Sequence, residues 1–362
     1  MKNIGILTGG GDCPGLNAVI RAVYKTLIHE GEYRLIGILD GFDGLIKDNY
    51  MELDSRSISG ILAKGGTILG TSNKGNPMNY PVEKEDGSIE FKDFSQKMID
   101  TYKKLKLDGI IVIGGDGTLN IAHTLYAKGL LNYVGVPKTI DNDIFDTDMT
   151  FGFNTAVQIV TDAIDRIHST AESHHRIMIV ETMGRDAGWI ALYAGISGGA
   201  DIILIPEIPY SMEKIIEKLN KRYNEGRRFS VIVVAEGAKP IGGKVFGKVN
   251  KKNLYDRIKL GGIGIKLADE VEKLTDMECR NTILGYIQRG GTPTTYDRML
   301  ATRYGCEAAR AFIDGQFDKM VALDGNKIVL KAIGEHAGKK RLVESDNQIV
   351  KDALSIGISL GI

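Results

Sequence analysis

Short apolar runs alternate along this chain with longer segments in which apolar residues recur every three or four positions. The short runs predict buried β-strands, and in chain order they are IGIL, LIGIL, GIIVI, YVGV, RIMIV, DIILI and SVIVVA. The periodic segments predict helices, the clearest at residues 17–31 and 155–170. Because apolar strands separated by helices are typical of parallel sheets covered on both faces, the pattern predicts an α/β fold.

Glycine-rich loops follow several of the predicted strands. Glycine accounts for 45 of the 362 residues, about 12% where roughly 7% is the average. The glycines cluster at residues 4–11, 63–70, 111–117, 182–188 and 287–291. Since ligands of parallel sheets bind beyond the carboxyl ends of the strands, these clusters predict ligand-binding loops.

The length of 362 residues is enough for two domains, each with its own core. Lysine and arginine (46) balance aspartate and glutamate (46), so we expect no nucleic acid and no anionic membrane as partner. The chain lacks the roughly 18 consecutive apolar residues of a membrane helix and the pattern of a signal peptide, which predicts a cytoplasmic protein. Its cysteines are too scattered for a disulfide framework or a zinc site. Two polar segments, 73–92 and 242–262, are expected to be surface insertions.

The segment IIVIGGDGTLN (110–120) places one carboxylate, Asp116, among three glycines after a predicted strand. Glycines let backbone N–H groups approach a phosphate closely, and a following helix adds its positive end. A bare carboxylate would repel that phosphate, whereas Mg²⁺ prefers one or two carboxylates together with phosphate oxygens. The segment therefore indicates a magnesium–phosphate site, with a tight turn capped by Asp116 as the structural alternative.

The segment VPKTIDND (136–143) carries two carboxylates, Asp141 and Asp143, after another predicted strand. In an extended backbone, side chains two residues apart point the same way. One carboxylate could then be the base that a hydroxyl needs to attack a phosphoryl group, and the other could support a metal. The structural alternative is a turn that caps the helix expected from about residue 154.

The order of eight motifs along the chain resembles that of the 6-phosphofructokinases. The motifs are TGGGDCPGLN (8–17), GGT (65–67), GGDGT (114–118), PKTIDND (137–143), SHHR (173–176), ETMGRDAG (181–188), AEG (235–237) and LGYIQRGG (284–291). GGDGT alone also occurs in NAD kinases and diacylglycerol kinases, but the later motifs in this order do not. The resemblance covers roughly residues 4 to 310, and the tail beyond about residue 335 and the 242–262 segment exceed the short bacterial members.

The resemblance implies two similar Rossmann-like, three-layer α/β domains with mainly parallel sheets around a central cleft. Residues 1–152 and 288–338 would form the phosphoryl-donor domain, and residues 153–287 and 339–362 the sugar-phosphate domain. In the family, the arginines at the positions of Arg176 and Arg280 come from a neighbouring subunit. The resemblance therefore implies a homo-oligomer, with a tetramer favoured.

The family pattern also assigns a role to individual residues. Asp116 would hold Mg²⁺, and the donor would contact Gly10, Asn73, Lys74, Gly115, Asp116, Gly117 and Thr118. Asp141 would take the proton from the 1-hydroxyl of fructose 6-phosphate, assisted by Thr139 and Arg185. The sugar phosphate would contact Thr139, Ile140, Asp141, Arg176, Met183, Gly184, Arg185, Glu236, Arg280, Tyr286 and Arg289, with Arg280 and Arg289 on its 6-phosphate. Familiar bacterial members carry an arginine at the position of Asn73, and Lys74 would substitute for it.

The identity of the phosphoryl donor depends on Gly117 and Lys138. In the family, Asp at the first position accompanies pyrophosphate and Gly accompanies ATP, while Lys at the second accompanies pyrophosphate in many members. A carboxylate about 4 Å from a donor phosphate would cost about 4 kcal/mol at an effective dielectric near 20, so its absence favours MgATP. Pyrophosphate is the alternative donor.

Two further functions stay open at this point. A kinase of another substrate, such as NAD or a lipid, would share GGDGT but gives no reason for PKTIDND or LGYIQRGG. A non-catalytic nucleotide-sensing subunit would need neither Asp116 nor Asp141.

Overall fold

The computed structural model describes residues 2–73, 75–249, 258–334 and 338–362, which form helices and mainly parallel strands. The strands are β1 (Lys2–Thr8), β2 (Tyr33–Ile38), β3 (Tyr50–Glu52), β4 (Tyr80–Glu83), β5 (Ile89–Lys92), β6 (Leu107–Gly114), β7 (Tyr133–Thr139), β8 (Phe151–Gly152), β9 (Ile177–Thr182), β10 (Ile202–Leu204), β11 (Ser230–Ala235), β12 (Gly247–Val249), β13 (Ile258–Leu260), β14 (Cys279–Ile283), β15 (Lys319–Asp324) and β16 (Lys327–Ala332). The helices are α1 (Leu16–Glu30), α2 (Phe42–Lys47), α3 (Ser95–Lys104), α4 (Asp116–Ala127), α5 (Phe153–His174), α6 (Trp189–Ser197), α7 (Met212–Asn224), α8 (Ile263–Thr275), α9 (Thr295–Ile313) and α10 (Gln348–Ser355). Short 3₁₀ turns cover Ile61–Ala63 and Gly285–Arg289.

The predicted α/β class is confirmed. Each apolar run overlaps a strand between β1 and β11 and extends at most one residue past the end of that strand, and the helices expected at 17–31 and 155–170 are α1 and α5. Among the described residues, every helix is too short or too polar to cross a membrane.

The chain divides into two compact units. Unit 1 consists of Met1–Ile140, Ile144–Asn154 and Arg289–Lys340, and unit 2 consists of Asp141–Asp143, Thr155–Gln288 and Arg341–Ile362. The chain passes between the units after Asn154, Gln288 and Lys340. The boundaries predicted from the sequence lie after residues 152, 287 and 338, within two residues of these positions. In addition, three residues of the TIDND segment belong to unit 2. Which ligand each unit binds stays a prediction.

Unit 1 is built on a sheet with the strand order β16-β15-β7-β6-β1-β2-β3, and β8 pairs beside β7. The central strands are parallel, whereas β3 and β16 pair with their neighbours in antiparallel fashion at the two edges. Helix α1 buries a stripe of apolar residues at helical spacing, Leu16, Val19, Ile20, Val23 and Leu27. Because β1, β6 and β7 are neighbouring parallel strands, their carboxyl ends at Thr8, Gly114 and Thr139 lie side by side at the same end of the sheet.

Unit 2 is built on four parallel strands in the order β10-β11-β9-β14. Every residue of β9 and β11 is buried, as expected for strands covered on both faces. The buried carboxylate of Glu181 in β9 accepts hydrogen bonds from the backbone N–H groups of Gly262 and Gly264, both at 2.8 Å. These donors lie at the amino terminus of α8, where the helix dipole favours negative charge, so the burial of Glu181 is compensated.

The two segments expected to be surface insertions contain hairpins. Strands β4 and β5 pair within residues 73–92, and Tyr80 at their start packs against the core of unit 1. Strands β12 and β13 pair within residues 242–262, of which 250–257 lie outside the described residues. The first segment is therefore partly integrated into the core and not merely a surface loop.

Candidate active site

The GGDGT motif forms a very tight turn in unit 1. Strand β6 ends at Gly114 and α4 begins at Asp116, so Gly115 alone connects them. A Cβ on Gly114 would lie 2.4 Å from the Cβ of Thr118, which is buried beneath the turn. Glycine is thus needed for Thr118 to pack under the loop. The turn leaves the unpaired N–H groups of the first helical turn available to an anion.

Asp116 is the first residue of α4 and is half-buried. Its Oδ1 accepts a hydrogen bond from the N–H of Gly338 at 2.9 Å. Across the described ranges, no group of three or more His, Cys, Asp or Glu side chains could hold a metal on its own. Asp116 fits the alternative that Mg²⁺ prefers, in which one carboxylate is completed by phosphate oxygens.

Three of the residues predicted to contact the donor or to select it converge on Gly10. This glycine has a φ of 79°, and a Cβ added to it would lie 3.3 Å from Lys138 Nζ, 3.7 Å from Thr118 Oγ1 and 4.0 Å from Asn73 Oδ1. Only glycine adopts this left-handed conformation easily while leaving the space open. Lys74 lies outside the described residues, so its role stays a prediction.

Two cations meet the loop that follows Gly10. Lys138 is 3% exposed, and its Nζ donates to the carbonyl oxygen of Gly11. Arg289 Nη1 donates to the next carbonyl, that of Asp12, at 3.2 Å. Arg289, expected among the sugar-phosphate residues, therefore lies in unit 1 against the loop beside the donor residues. Two cations at successive carbonyls make this loop a favourable place for a phosphate.

Cys13 follows the same loop and is fully buried. Burial raises the pKa of the Cys13 thiol to about 12, although Lys138 and Arg289 act in the opposite direction. The thiol is therefore neutral near pH 7 and is no candidate for a nucleophile or a metal ligand.

The TIDND segment departs from the conformation that the sequence suggested. Thr139 ends β7 and Ile140 is fully buried, but Asn142 adopts a left-handed φ of 51° and is buried. Alternation of side chains holds only in extended backbone. The extended backbone from which we inferred that Asp141 and Asp143 point the same way is therefore absent at Asn142. Asp141 and Asp143 are both half-buried, and Asp141 is the first residue of unit 2 in chain order.

In unit 2 the loops after β9 and β11 are joined to each other. Glu236 N–H donates to the carbonyl of Thr182 at 2.9 Å, and Gly237 N–H donates to that of Gly184 at 3.1 Å. A Cβ on Gly237 would lie 1.9 Å from the carbonyl oxygen of Arg185. Because glycine permits this contact, Met183, Gly184, Arg185 and Glu236 come together as the sequence predicted for the sugar-phosphate site.

Gln288 is a residue that sequence reasoning missed. It is 0% exposed; its Oε1 accepts from Met183 N–H at 3.2 Å, and its Nε2 donates to the carbonyl of Gly285 at 3.0 Å. Since an N–H can only donate and a carbonyl can only accept, both ends of the amide are chemically fixed. Gln288 thereby links the loop after β9 to the LGYIQRGG motif. Its position inside that motif was the available signal.

Tyr286 projects from the 3₁₀ turn Gly285–Arg289 and is 76% exposed. Ile283 and Ile287 beside it are also exposed. Tyr286 is therefore not a core residue of unit 2, which leaves its ring available to a ligand.

Arg176 and Arg280 lie at the amino ends of strands in the sheet of unit 2, opposite the end that carries Met183 and Arg185. Arg176 directly precedes β9, and Arg280 is the second residue of β14. Arg176 Nε lies 2.9 Å from Glu278 Oε2, and Arg280 Nη2 donates to Glu278 Oε1. The pairing with Arg176, and secondarily the charge of Arg280, lowers the pKa of Glu278.

The length of β9 separates these arginines from the sugar-phosphate residues in the loops of unit 2. Met183 and Arg185 follow the carboxyl end of β9, whereas Arg176 precedes its amino end. At about 3.3 Å per residue, six residues of β9 span roughly 20 Å. Within one chain, Arg176 and Arg280 therefore do not meet Arg185 and Glu236.

Comparison with known proteins identifies relatives over the full length of the chain. The family model described as phosphofructokinase matches residues 3–312. An ATP-dependent 6-phosphofructokinase 2 of Clostridium perfringens is 52% identical over 360 residues, which cover 99% of this chain and 98% of the relative. A pyrophosphate–fructose 6-phosphate 1-phosphotransferase of Amycolatopsis methanolica is 47% identical over 340 residues, covering 94% and 96%.

Among solved structures, the phosphofructokinase of Saccharomyces cerevisiae superposes with a TM-score of 0.75 at 29% sequence identity. The superposition covers 99% of this chain and 47% of the yeast chain, so this chain spans about half of that protein's length. The two-unit α/β architecture is thus shared with this structure.

Proposed function

This chain belongs to the phosphofructokinase family, and from that premise we propose that it transfers the terminal phosphoryl group of MgATP to O1 of fructose 6-phosphate. The products are fructose 1,6-bisphosphate and ADP, and the reaction is a step of glycolysis. The observation that carries the proposal is the convergence of Gly10, Asn73, Thr118 and Lys138 at one edge of the sheet in unit 1. In unit 2, the hydrogen-bonded loops after β9 and β11 carry Arg185 and Glu236 and supply the sugar-phosphate residues.

In this proposal Asp141 is the general base. It accepts the proton of the 1-hydroxyl as the oxygen attacks the phosphoryl group, while Thr139 and Arg185 orient and neutralise the reacting groups. When bound at Asp116, Mg²⁺ would neutralise charge on the donor phosphates. Positioning and charge neutralisation account for most of the catalysis of phosphoryl transfer, which suits a site rich in backbone N–H groups and cations.

The donor assignment to ATP is supported by the surroundings of Gly117. A Cβ at this position would meet no atom within 4 Å, so the space beside the first turn of α4 is open to a larger donor. Pyrophosphate is the second candidate, because buried Lys138 donates at the donor loop and one relative of this chain uses pyrophosphate.

The proposal includes a homo-oligomer, with a tetramer favoured. Arg176 lies at the amino end of β9, roughly 20 Å from Met183 and Arg185 beyond its carboxyl end, and Arg280 lies at the amino end of the neighbouring strand β14. In the proposed oligomer, Arg176 and Arg280 would bind the 6-phosphate in the site of a neighbouring copy. Glu278 holds both guanidinium groups in place and would be displaced by, or share them with, the phosphate.

The test is a coupled assay of fructose 1,6-bisphosphate formation with ATP and pyrophosphate supplied at equal concentration. We expect a higher kcat/KM with ATP. A higher value with pyrophosphate would reverse the donor assignment, and absence of product with both donors would reject the proposed function.

A further inference from the structure

The segment Arg341–Val343, here called the strap, lies across two loops of unit 2. The N–H of Arg341 donates to the carbonyl of Asp143 at 2.9 Å, and the carbonyl of Arg341 accepts from Trp189 Nε1 at 2.9 Å. The guanidinium carbon of Arg341 lies 4.6 Å from the centre of the Trp189 ring, which is within the range of a cation–π interaction. Arg341 is thus fixed by its backbone and by its side chain.

Glu207 fixes the other end of the strap. Its Oε1 accepts from Val343 N–H at 2.9 Å and also from Gly188 N–H at 3.0 Å. A Cβ on Gly188 would lie 2.4 Å from the Cβ of Ile205, so only glycine permits this packing. Burial raises the pKa of Glu207, while the hydrogen bonds from Val343 and Gly188 act in the opposite direction.

Both anchor points adjoin residues of the proposed site. Asp143, which accepts from the strap, stands two residues after the proposed base Asp141. Gly188, which shares Glu207 with the strap, ends the loop that carries Arg185. The strap is therefore bonded at one end to the base loop and at the other, through Glu207, to the sugar-phosphate loop.

We infer that the strap positions these two loops for the reaction, with Arg341 holding the Asp141–Asp143 loop and Glu207 holding the Met183–Gly188 loop. The inference rests on the proposed function. Arg341 and Glu207 act as positioning residues, because each works through a neighbouring loop. Displacement of a reacting group by about 1 Å can lower a rate by about 100-fold, so a loop released at one anchor gives a measurable loss.

The Arg341 end is tested with a pair of variants. Arg341→Ala removes the stacked cation and should lower kcat at least fivefold while the KM for ATP stays within twofold. Arg341→Lys keeps a cation over the ring and should restore kcat to within twofold of wild type. Arg310→Ala, which removes an exposed arginine paired with Glu307, is the matched control and should leave both constants unchanged.

The Glu207 end has its own pair. Glu207→Leu removes both hydrogen-bond acceptors and should raise the KM for fructose 6-phosphate at least fivefold, with the KM for ATP within twofold. Glu207→Gln should stay within twofold of wild type, because one oxygen, Oε1, already accepts both N–H groups. A folded Glu207→Leu or Arg341→Ala protein with unchanged kinetics would overturn the inference, as would equal losses in the conservative variants.

Trp189 provides a direct readout, because it is the one tryptophan in the sequence. Its emission should shift in Arg341→Ala, where the stacked cation is lost, and return in Arg341→Lys. A shifted emission with normal kinetics would show that the strap is bound but does not position the loops, which overturns the inference. A wild-type protein inactive with both donors overturns the proposed function and this inference together, whereas an active wild type with unaffected variants overturns only the inference.

Discussion

Replacing Gly117 by aspartate tests how this protein discriminates between phosphoryl donors. Gly117 is the exposed second residue of α4, and a Cβ there would meet nothing within 4 Å. The fold should therefore accept the change. An acidic residue in the first turn of a helix even stabilises the helix by about 0.3–1 kcal/mol. Any loss of activity in Gly117→Asp thus reports on the donor and not on folding.

The expected loss follows from Coulomb's law. A carboxylate about 4 Å from a phosphate charge is repelled by about 4 kcal/mol at an effective dielectric near 20, and by about 1 kcal/mol in bulk water. Because Gly117 is exposed, the true cost lies between these limits. The corresponding fall in kcat/KM for ATP lies between about fivefold and about a thousandfold.

The assay is steady-state formation of fructose 1,6-bisphosphate with each donor, measured for wild type, Gly117→Asp and Gly117→Ala. The alanine variant adds a Cβ without charge and should remain within twofold of wild type. The reasoning is refuted if Gly117→Asp keeps its kcat/KM for ATP, or if Gly117→Ala loses as much. Higher salt should reduce the deficit, since exposed charges are screened over about 10 Å at 0.1 M ionic strength.

Four further predictions concern the sugar-phosphate side. Asp141→Ser should lower kcat by about 10²–10⁴, the usual contribution of general base catalysis, and a kcat within tenfold of wild type would exclude Asp141 as the base. Arg280→Ala should raise the KM for fructose 6-phosphate about tenfold, because a lost charged hydrogen bond costs about 1.5–3 kcal/mol. Oligomers reassembled from a mixture of Arg280→Ala and Asp141→Ser subunits should regain part of the activity, because a site that takes Asp141 from one copy and Arg280 from the other is then intact. No recovery would argue against sites shared between copies. Gln288→Glu replaces a donor by an acceptor opposite the carbonyl of Gly285 and should cost about 1–3 kcal/mol of stability by thermal unfolding, an effect that Gln288→Met should match if lost hydrogen bonds are the cause.

Local sequence patterns predicted the parts of this fold that local physics controls. Buried parallel strands such as β6 and β9 are continuous apolar runs, and α1 shows one apolar stripe, so both kinds of element could be predicted. The GGDGT turn could also be predicted, because strand, glycines and helix are contiguous in the chain.

The inferences that failed or were missed depend on contacts between distant residues. The same-side argument for Asp141 and Asp143 assumed extended backbone, and the left-handed Asn142 between them invalidates it. Nothing local shows that Gln288 reaches Met183, 105 residues earlier in the chain. Such contacts are set by tertiary packing, for which the sequence of a single protein carries no direct signal.

The way the backbone passes between the two units has a consequence for protein engineering. Three of the passages fall at Ile140–Asp141, Gln288–Arg289 and Lys340–Arg341, and each is flanked by residues of the site or the strap. These junctions are therefore unsuitable for circular permutation, for inserting a reporter domain or for producing the units separately, although domain borders are the usual choice. The exposed turn between β4 and β5 is a better place, because around Gly87 an added side chain would meet no atom within 4 Å. A fluorescent domain fused there should leave phosphoryl transfer intact, while the same fusion after Gln288 should abolish it.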